Sequence, residues 1–140
     1  MKLIDLDFSV YGTISGRDAV NILEISSKNP RKVEIIVSVC TRSIANKAEL
    51  TEQFVQFKIM FDGVILYKIF DENIRGLLGE EEFDMYSESD AESALMEIQG
   101  SELVEKNKGI YQSGSLRHLI LDTYDFKVET LCESFTIKEL

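Results

Sequence analysis

His118 is the only histidine in the chain of 140 residues. It sits in Leu116-Arg117-His118-Leu119-Ile120-Leu121, and an imidazole is the side chain best suited to general-base work near neutral pH. That work needs a nucleophile or a substrate proton, and no partner stands nearby in sequence. Ser113 and Ser115, set between and after glycines, read as loop residues. The surroundings of His118 favour a plainer reading, a partly buried strand histidine hydrogen-bonded to a neighbour.

Cys40 and Cys132 stand 92 positions apart, each inside an apolar, strand-like run. With no dense cysteine spacing, two buried thiols in a reducing cytoplasm fit best. A disulfide stays open only if their strands are neighbours. Zinc asks for four ligands, which two distant cysteines and one histidine do not supply.

The run Asp71-Glu72-Asn73-Ile74-Arg75-Gly76-Leu77-Leu78-Gly79-Glu80-Glu81-Glu82 partly matches a calcium-binding loop. It has oxygen-bearing residues at positions one and three, glycine at six and glutamate at twelve. Arg75 occupies position five, where an oxygen ligand is required, and the preceding segment reads as strand rather than helix. Calcium is therefore not expected. Neither G-x-S-x-G, a phosphate-cradling glycine-rich loop with lysine, nor H-E-x-x-H occurs in the chain. Paired carboxylates for proton transfer cannot be chosen among 25 acidic residues without a fold. No catalytic residue, metal or cofactor is assigned from the sequence.

Charge is more informative. The 25 acidic and 15 basic residues give a formal net charge of −10. Ten of the acids (Glu80, Glu81, Glu82, Asp84, Glu88, Asp90, Glu92, Glu97, Glu102 and Glu105) fall between Glu80 and Glu105, with no Lys or Arg among them. Even spacing would put only about five acids in a window of this length. The rest of the chain holds 15 acids and 15 bases, so the whole excess lies in that one stretch. Such a patch repels phosphates, which argues against direct binding of nucleic acid or an anionic membrane. It attracts a basic protein and raises its association rate. Glu80, Glu81, Glu82, Asp84, Glu88, Asp90 and Glu92 are the candidate partner-binding residues. The alternative is a loop and helix face kept acidic for solubility.

The elements that must carry these residues follow from periodicity. Residues 1–10 alternate, with Ile4, Leu6, Phe8 and Val10 on one face and Asp5, Asp7 and Ser9 on the other, as a half-buried strand does. Residues 11–16 read as a turn and residues 19–26 as a second strand. Ser27-Lys28-Asn29-Pro30-Arg31 marks another turn. Residues 32–41, rich in β-branched side chains, form a third strand, and residues 42–53 a loop with one turn of helix. Residues 54–70 predict a hairpin through Asp62-Gly63, the dipeptide suited to a type I′ turn, with Phe61 facing Val64 and Ile59 facing Leu66. Phe57 and Phe61 belong to the core face rather than to a base-stacking platform.

Ser89-Asp90-Ala91-Glu92 fits a capping box, and Ala91, Ala94, Leu95 and Ile98 share a helical face. This predicts a helix over residues 90–99, with residues 101–106 as a continuation past Gly100. Residues 116–123 and 126–137 predict a last hairpin around Tyr124-Asp125. The sum is one α+β domain over residues 1–140, a largely antiparallel sheet of about six to seven strands with one main helix packed on it. No stretch approaches 18 consecutive apolar residues, so no spanning helix is expected. The aspartates of Met1-Lys2-Leu3-Ile4-Asp5-Leu6-Asp7 do not suit a secretory leader.

The C-terminal third, from the predicted helix through His118-Leu119-Ile120-Leu121-Asp122-Thr123-Tyr124-Asp125-Phe126 to Cys132-Glu133, resembles the ends of small bacterial immunity proteins of polymorphic and contact-dependent toxin systems. Their helix is followed by a strand starting at His, a Tyr-Asp or similar turn, and a strand ending in Cys/Ala-Glu. The resemblance implies a cytoplasmic inhibitor that binds a cognate toxin domain tightly. The acidic stretch, on its own chemistry, favours a nuclease as that toxin, because a phosphate-binding cleft is positive. It carries no shared catalytic residues. Two other readings compete. One is a type III secretion-type chaperone, which would be a dimer holding an effector segment. The other is a small enzyme with a pocket invisible in sequence.

Overall fold

The structure, a computed structural model, describes residues 2–15, 17–47, 50–71, 93–108 and 115–140. Its elements run β1 Lys2–Asp5, β2 Val20–Asn29, β3 Lys32–Cys40, β4 Phe54–Asp62, β5 Leu66–Asp71, β6 Leu95–Gln99, α1 Glu102–Asn107, β7 Arg117–Asp122, β8 Phe126–Cys132 and β9 Ser134–Glu139. These nine strands form two sheets, β1-β6-β7-β8-β5 and β2-β3-β4-β9, and every pairing within them is antiparallel.

The predicted α+β class is corrected by this arrangement. Among the described residues the chain is mostly β, and its one α-helix, α1, has six residues. The predicted helix over residues 90–99 fails where it can be checked, because Leu95–Gln99 is β6. Leu95 faces the core between the sheets, while Met96 and Ile98 pack with Ile120 in a smaller cluster that includes Leu3. A strand buried on both faces loses its alternation, and its apolar residues then mimic helical spacing. The capping box at residues 89–92 lies outside the described residues. Gly100, at φ +70°, ends the strand, and Ser101 caps α1 by accepting the Val104 N–H at 3.3 Å.

The second sheet is built on matched apolar pairs: Val33 with Phe61, Ile35 with Ile59, Val37 with Phe57 and Val39 with Val55. Ile137 and Phe135 of β9 extend the rows. Opposite them lie Leu95, Leu119, Leu121, Val128 and Cys132 of the first sheet. Phe8 meets the Phe57 ring edge-on at 5.6 Å between centroids, and Tyr11 meets it at 5.3 Å. The first strand is shorter than its alternation predicts. After Asp5 the chain bends into a 3₁₀ turn at Ser9–Tyr11 that buries Phe8 and leaves Val10 exposed.

The predicted hairpin over residues 54–70 is also corrected. Both strands exist, but β4 pairs with β3 and β9 while β5 pairs with β8. The pairings of Phe61 with Val64 and of Ile59 with Leu66 therefore do not occur. Gly63, at φ +63°, is where the chain passes from one sheet to the other. Residues 126–137 divide in the same way at Glu133 into β8 and β9. The two crossings are neighbours: Glu133 N–H donates to Asp62 O at 3.0 Å, and Ile65 N–H donates to Leu131 O at 2.8 Å. The turn between β7 and β8 at Tyr124-Asp125 is a true hairpin, and Thr123 N–H donates to Phe126 O across it at 2.9 Å.

Candidate functional site

The outer face of the first sheet carries a chain of buried, hydrogen-bonded polar side chains, Ser101, His118 and Glu129. His118 on β7 stands opposite Leu131 of β8, and Glu129, two positions earlier on β8, shares its face. Ser101 reaches the same place from the start of α1. Ser101 Oγ lies 2.7 Å from His118 Nδ1, and His118 Nε2 lies 2.5 Å from Glu129 Oε1. One proton arrangement satisfies Ser101 and His118 fully. The Ser101 hydroxyl donates to Nδ1 while accepting the Val104 N–H, and the imidazole Nε2–H donates to the Glu129 carboxylate.

Serine, base and orienting carboxylate are the parts of a nucleophilic triad, but here they form a closed chain. Ser101, His118 and Glu129 are only 4, 5 and 6% exposed, and both ends of the Ser101 hydroxyl are engaged. Among the described residues Ser101 is left almost no surface for a substrate to reach. What the chain does is fasten α1 to the sheet through buried, fully used hydrogen bonds. His118 is thus a buried strand histidine held on both nitrogens. Sequence reasoning missed Ser101 and Glu129. The signal for Ser101 was its place between Gly100 and the acidic first turn of α1 (Glu102 and Glu105). Glu129 left no signal, because strand alternation gave it the same outward reading as an ordinary solvated glutamate.

Cys40 and Cys132 are free thiols in different sheets. Burial pushes the Cys132 thiol up to about 12, against a smaller downward pull from the Arg117 charge, so it is no nucleophile near neutral pH. Arg117 grips Glu97 with two hydrogen bonds, Nε to Oε2 at 3.0 Å and Nη2 to Oε1 at 2.6 Å. Its carbon Cζ also sits 4.9 Å from the centre of the Phe135 ring. The bonds to Glu97 raise the Arg117 pKa further above its ordinary value. No group of three or more His, Cys, Asp or Glu side chains among the described residues is placed to hold a metal ion. A groove of about 380 Å³ beside β4, lined by Leu50, Glu52, Phe54, Gln56 and Leu140 among others, contains no cationic side chain, histidine or cysteine.

The chain matches no protein family, no curated protein and no solved structure.

The candidate partner-binding carboxylates Glu80, Glu81, Glu82, Asp84, Glu88, Asp90 and Glu92 lie outside the described residues, as does the calcium-like run beyond Asp71. Their described flanks are informative. Asp71 pairs with Phe126 at the end of β5, and Ser93 precedes Ala94, whose carbonyl accepts the Asp122 N–H at 2.7 Å. Both flanks therefore stand at the end of the first sheet that carries the β7–β8 turn. The Ser93 N–H is fixed there by the Asp5 carboxylate at 2.8 Å and its hydroxyl by Leu6 O at 3.2 Å. Among the described residues no helix is long and apolar enough to cross a membrane.

Proposed function

We propose that this chain is a non-enzymatic protein-binding module, an immunity-type inhibitor that neutralises a toxin domain with a basic surface in the cytoplasm of the producing cell. One observation carries the reading. The ten acids between Glu80 and Glu105, with no base among them, hold the entire charge excess of an otherwise neutral chain. A nuclease is the favoured target, since its cleft is positive in order to bind phosphate and clustered carboxylates can occupy it competitively. The sealing of the serine–histidine–glutamate chain also supports a binding role over a catalytic one. The anchoring of Asp71 and Ser93 at one end of a sheet gives the acidic segment a fixed base.

The test is association kinetics with the toxin domain encoded beside this chain, or failing that with a basic protein recovered by pull-down at low salt. Salt should slow association far more than it speeds dissociation. Changing Glu80, Glu81 and Glu82 to Gln and Asp84 to Asn should lower the on-rate about tenfold or more, by the scale of electrostatic steering. If those four changes leave binding to every candidate partner untouched, the segment only solvates the protein and the proposal fails.

A further inference from the structure

We propose that the β5–β8 edge of the first sheet, formed by Tyr67, Ile69 and Phe126 with Tyr124 at the adjoining turn, is the apolar anchor site for a basic protein partner. This rests on the inhibitor reading and adds to it the part of the surface that holds the partner once the acids have drawn it in.

The first argument is placement. Eight large apolar side chains are exposed among the described residues, and four of them are Tyr67, Ile69, Tyr124 and Phe126. Scattered exposed apolar residues need no explanation, but a contiguous set does. Tyr67 and Ile69 alternate onto one face of β5, and the register sets them opposite Thr130 and Val128. Phe126 pairs with Asp71 on that same face, two residues beyond Val128. The second sheet covers Val128 and Thr130, which are 1% exposed, but leaves this outer margin open. Tyrosine and phenylalanine at the centre of a patch are the residue types that anchor protein interfaces.

The second argument is charge, and it selects the occupant. Asp71 faces Phe126 across the ladder and Asp125 precedes it. The neighbouring Lys127 is turned toward Asp122, 4.0 Å away, and Lys68 alternates to the opposite face with Phe70. From Asp71 the chain continues into residues 72–92, which hold eight acids and one base. A second copy of the chain would set Asp71 and Asp125 against their own counterparts, so like charge opposes self-pairing at this edge. Phosphate-bearing surfaces are opposed for the same reason. A protein with basic residues around an apolar tip meets both the charge and the patch. Carboxylates then set the rate of encounter, and the aromatic edge sets the rate of escape.

Two short synthetic peptides separate the contributions: one alternating Lys and Leu, the other alternating Lys and Ser at the same length and charge. The full chain should bind the Lys–Leu peptide about tenfold tighter or more, the scale of burying one or two apolar side chains. That preference should disappear in Ile69→Thr and Phe126→Thr, while the salt dependence common to both peptides persists. Should either variant fail to fold, the unmodified chain gives the second measurement, since amide shifts on titration must centre on residues 67, 69, 124 and 126. Equal binding of the two peptides, or shifts elsewhere, overturns the anchor site and leaves the acidic docking reading standing. If neither peptide binds at low salt, both fall. Sedimentation showing a dimer that Ile69→Thr dissolves would assign the edge to a second copy and likewise overturn the proposal.

Discussion

Gly63 and Glu133, 70 positions apart in sequence, are packed against each other at the corner where both chain crossings between the sheets occur. A Cβ on Gly63 would lie 2.6 Å from the Glu133 Cγ and Cδ and 2.8 Å from its Cβ. Glu133 N–H donates to Asp62 O, and its carboxylate receives Arg31 Nη2 at 2.9 Å. Two crossings thus share one joint, and the residue without a side chain makes room for the other.

Gly63→Ala should lower stability by about 1–3 kcal/mol, because alanine disfavours φ near +60° and its methyl displaces Glu133. The Arg31–Glu133 pair is largely exposed, and its loss should contribute under about 1 kcal/mol. Urea unfolding of Gly63→Ala, Glu133→Ala and the double variant checks this. The double variant should be less destabilised than the sum of the single ones, since removing the Glu133 Cγ and Cδ relieves part of the clash and leaves only the contact with its Cβ.

Ser101→Ala strands one buried nitrogen of His118 and the part-buried Val104 N–H, at a cost of about 1–3 kcal/mol. His118→Ala should cost at least as much, and a double-mutant cycle should show strong coupling between the two positions. A fluorophosphonate serine probe should leave native Ser101 unlabelled. Labelling would restore the enzyme reading.

Cys132 makes stability fall at alkaline pH. Its thiol ionises at about 12 in the folded chain against an ordinary 9.0, so its neutral form favours folding below pH 9. That contribution declines as pH rises from 9 toward 12, where the unfolded chain gains by releasing the proton first. Stability measured across this window should fall more steeply in the parent than in Cys132→Ala. Iodoacetamide at mildly alkaline pH should modify native Cys132 only on the timescale of unfolding.

Phe57→Ala should cost about 3–5 kcal/mol, as Phe57 is fully buried and is the ring that both Phe8 and Tyr11 meet edge-on. Chemical denaturation measures it. A value near 1 kcal/mol would mean that the turn at Ser9–Tyr11 does not seal this end of the core.

Most strands could be read from the sequence, and their partners could not. β3 and β4 alternate cleanly because each has one face in the core and one toward solvent, and their predicted bounds, residues 32–41 and 54 onward, nearly coincide with Lys32–Cys40 and Phe54–Asp62. Asp62-Gly63 misled because a positive-φ glycine serves a crossing between sheets as well as a tight hairpin, and the inward pattern continues unbroken through either. Leu95, Met96 and Ile98 misled because burial on both faces erased the alternation. The buried chain through His118 was half legible: the histidine stood out by its rarity, whereas Ser101 and Glu129 meet it only through a register that pairs distant segments.

The last rung of the second sheet joins Asp62 to Ser134, so β4 waits for a neighbour made 72 residues later. During synthesis β4 is therefore a bare edge while the intervening chain emerges, and contacts this remote in sequence make for slow maturation. A nascent chain stalled or clipped before Ser134 keeps a row of unpaired amides beside Phe57, Ile59 and Phe61. That makes Ser134–Glu139 the cover that keeps the β4 edge from pairing with another chain.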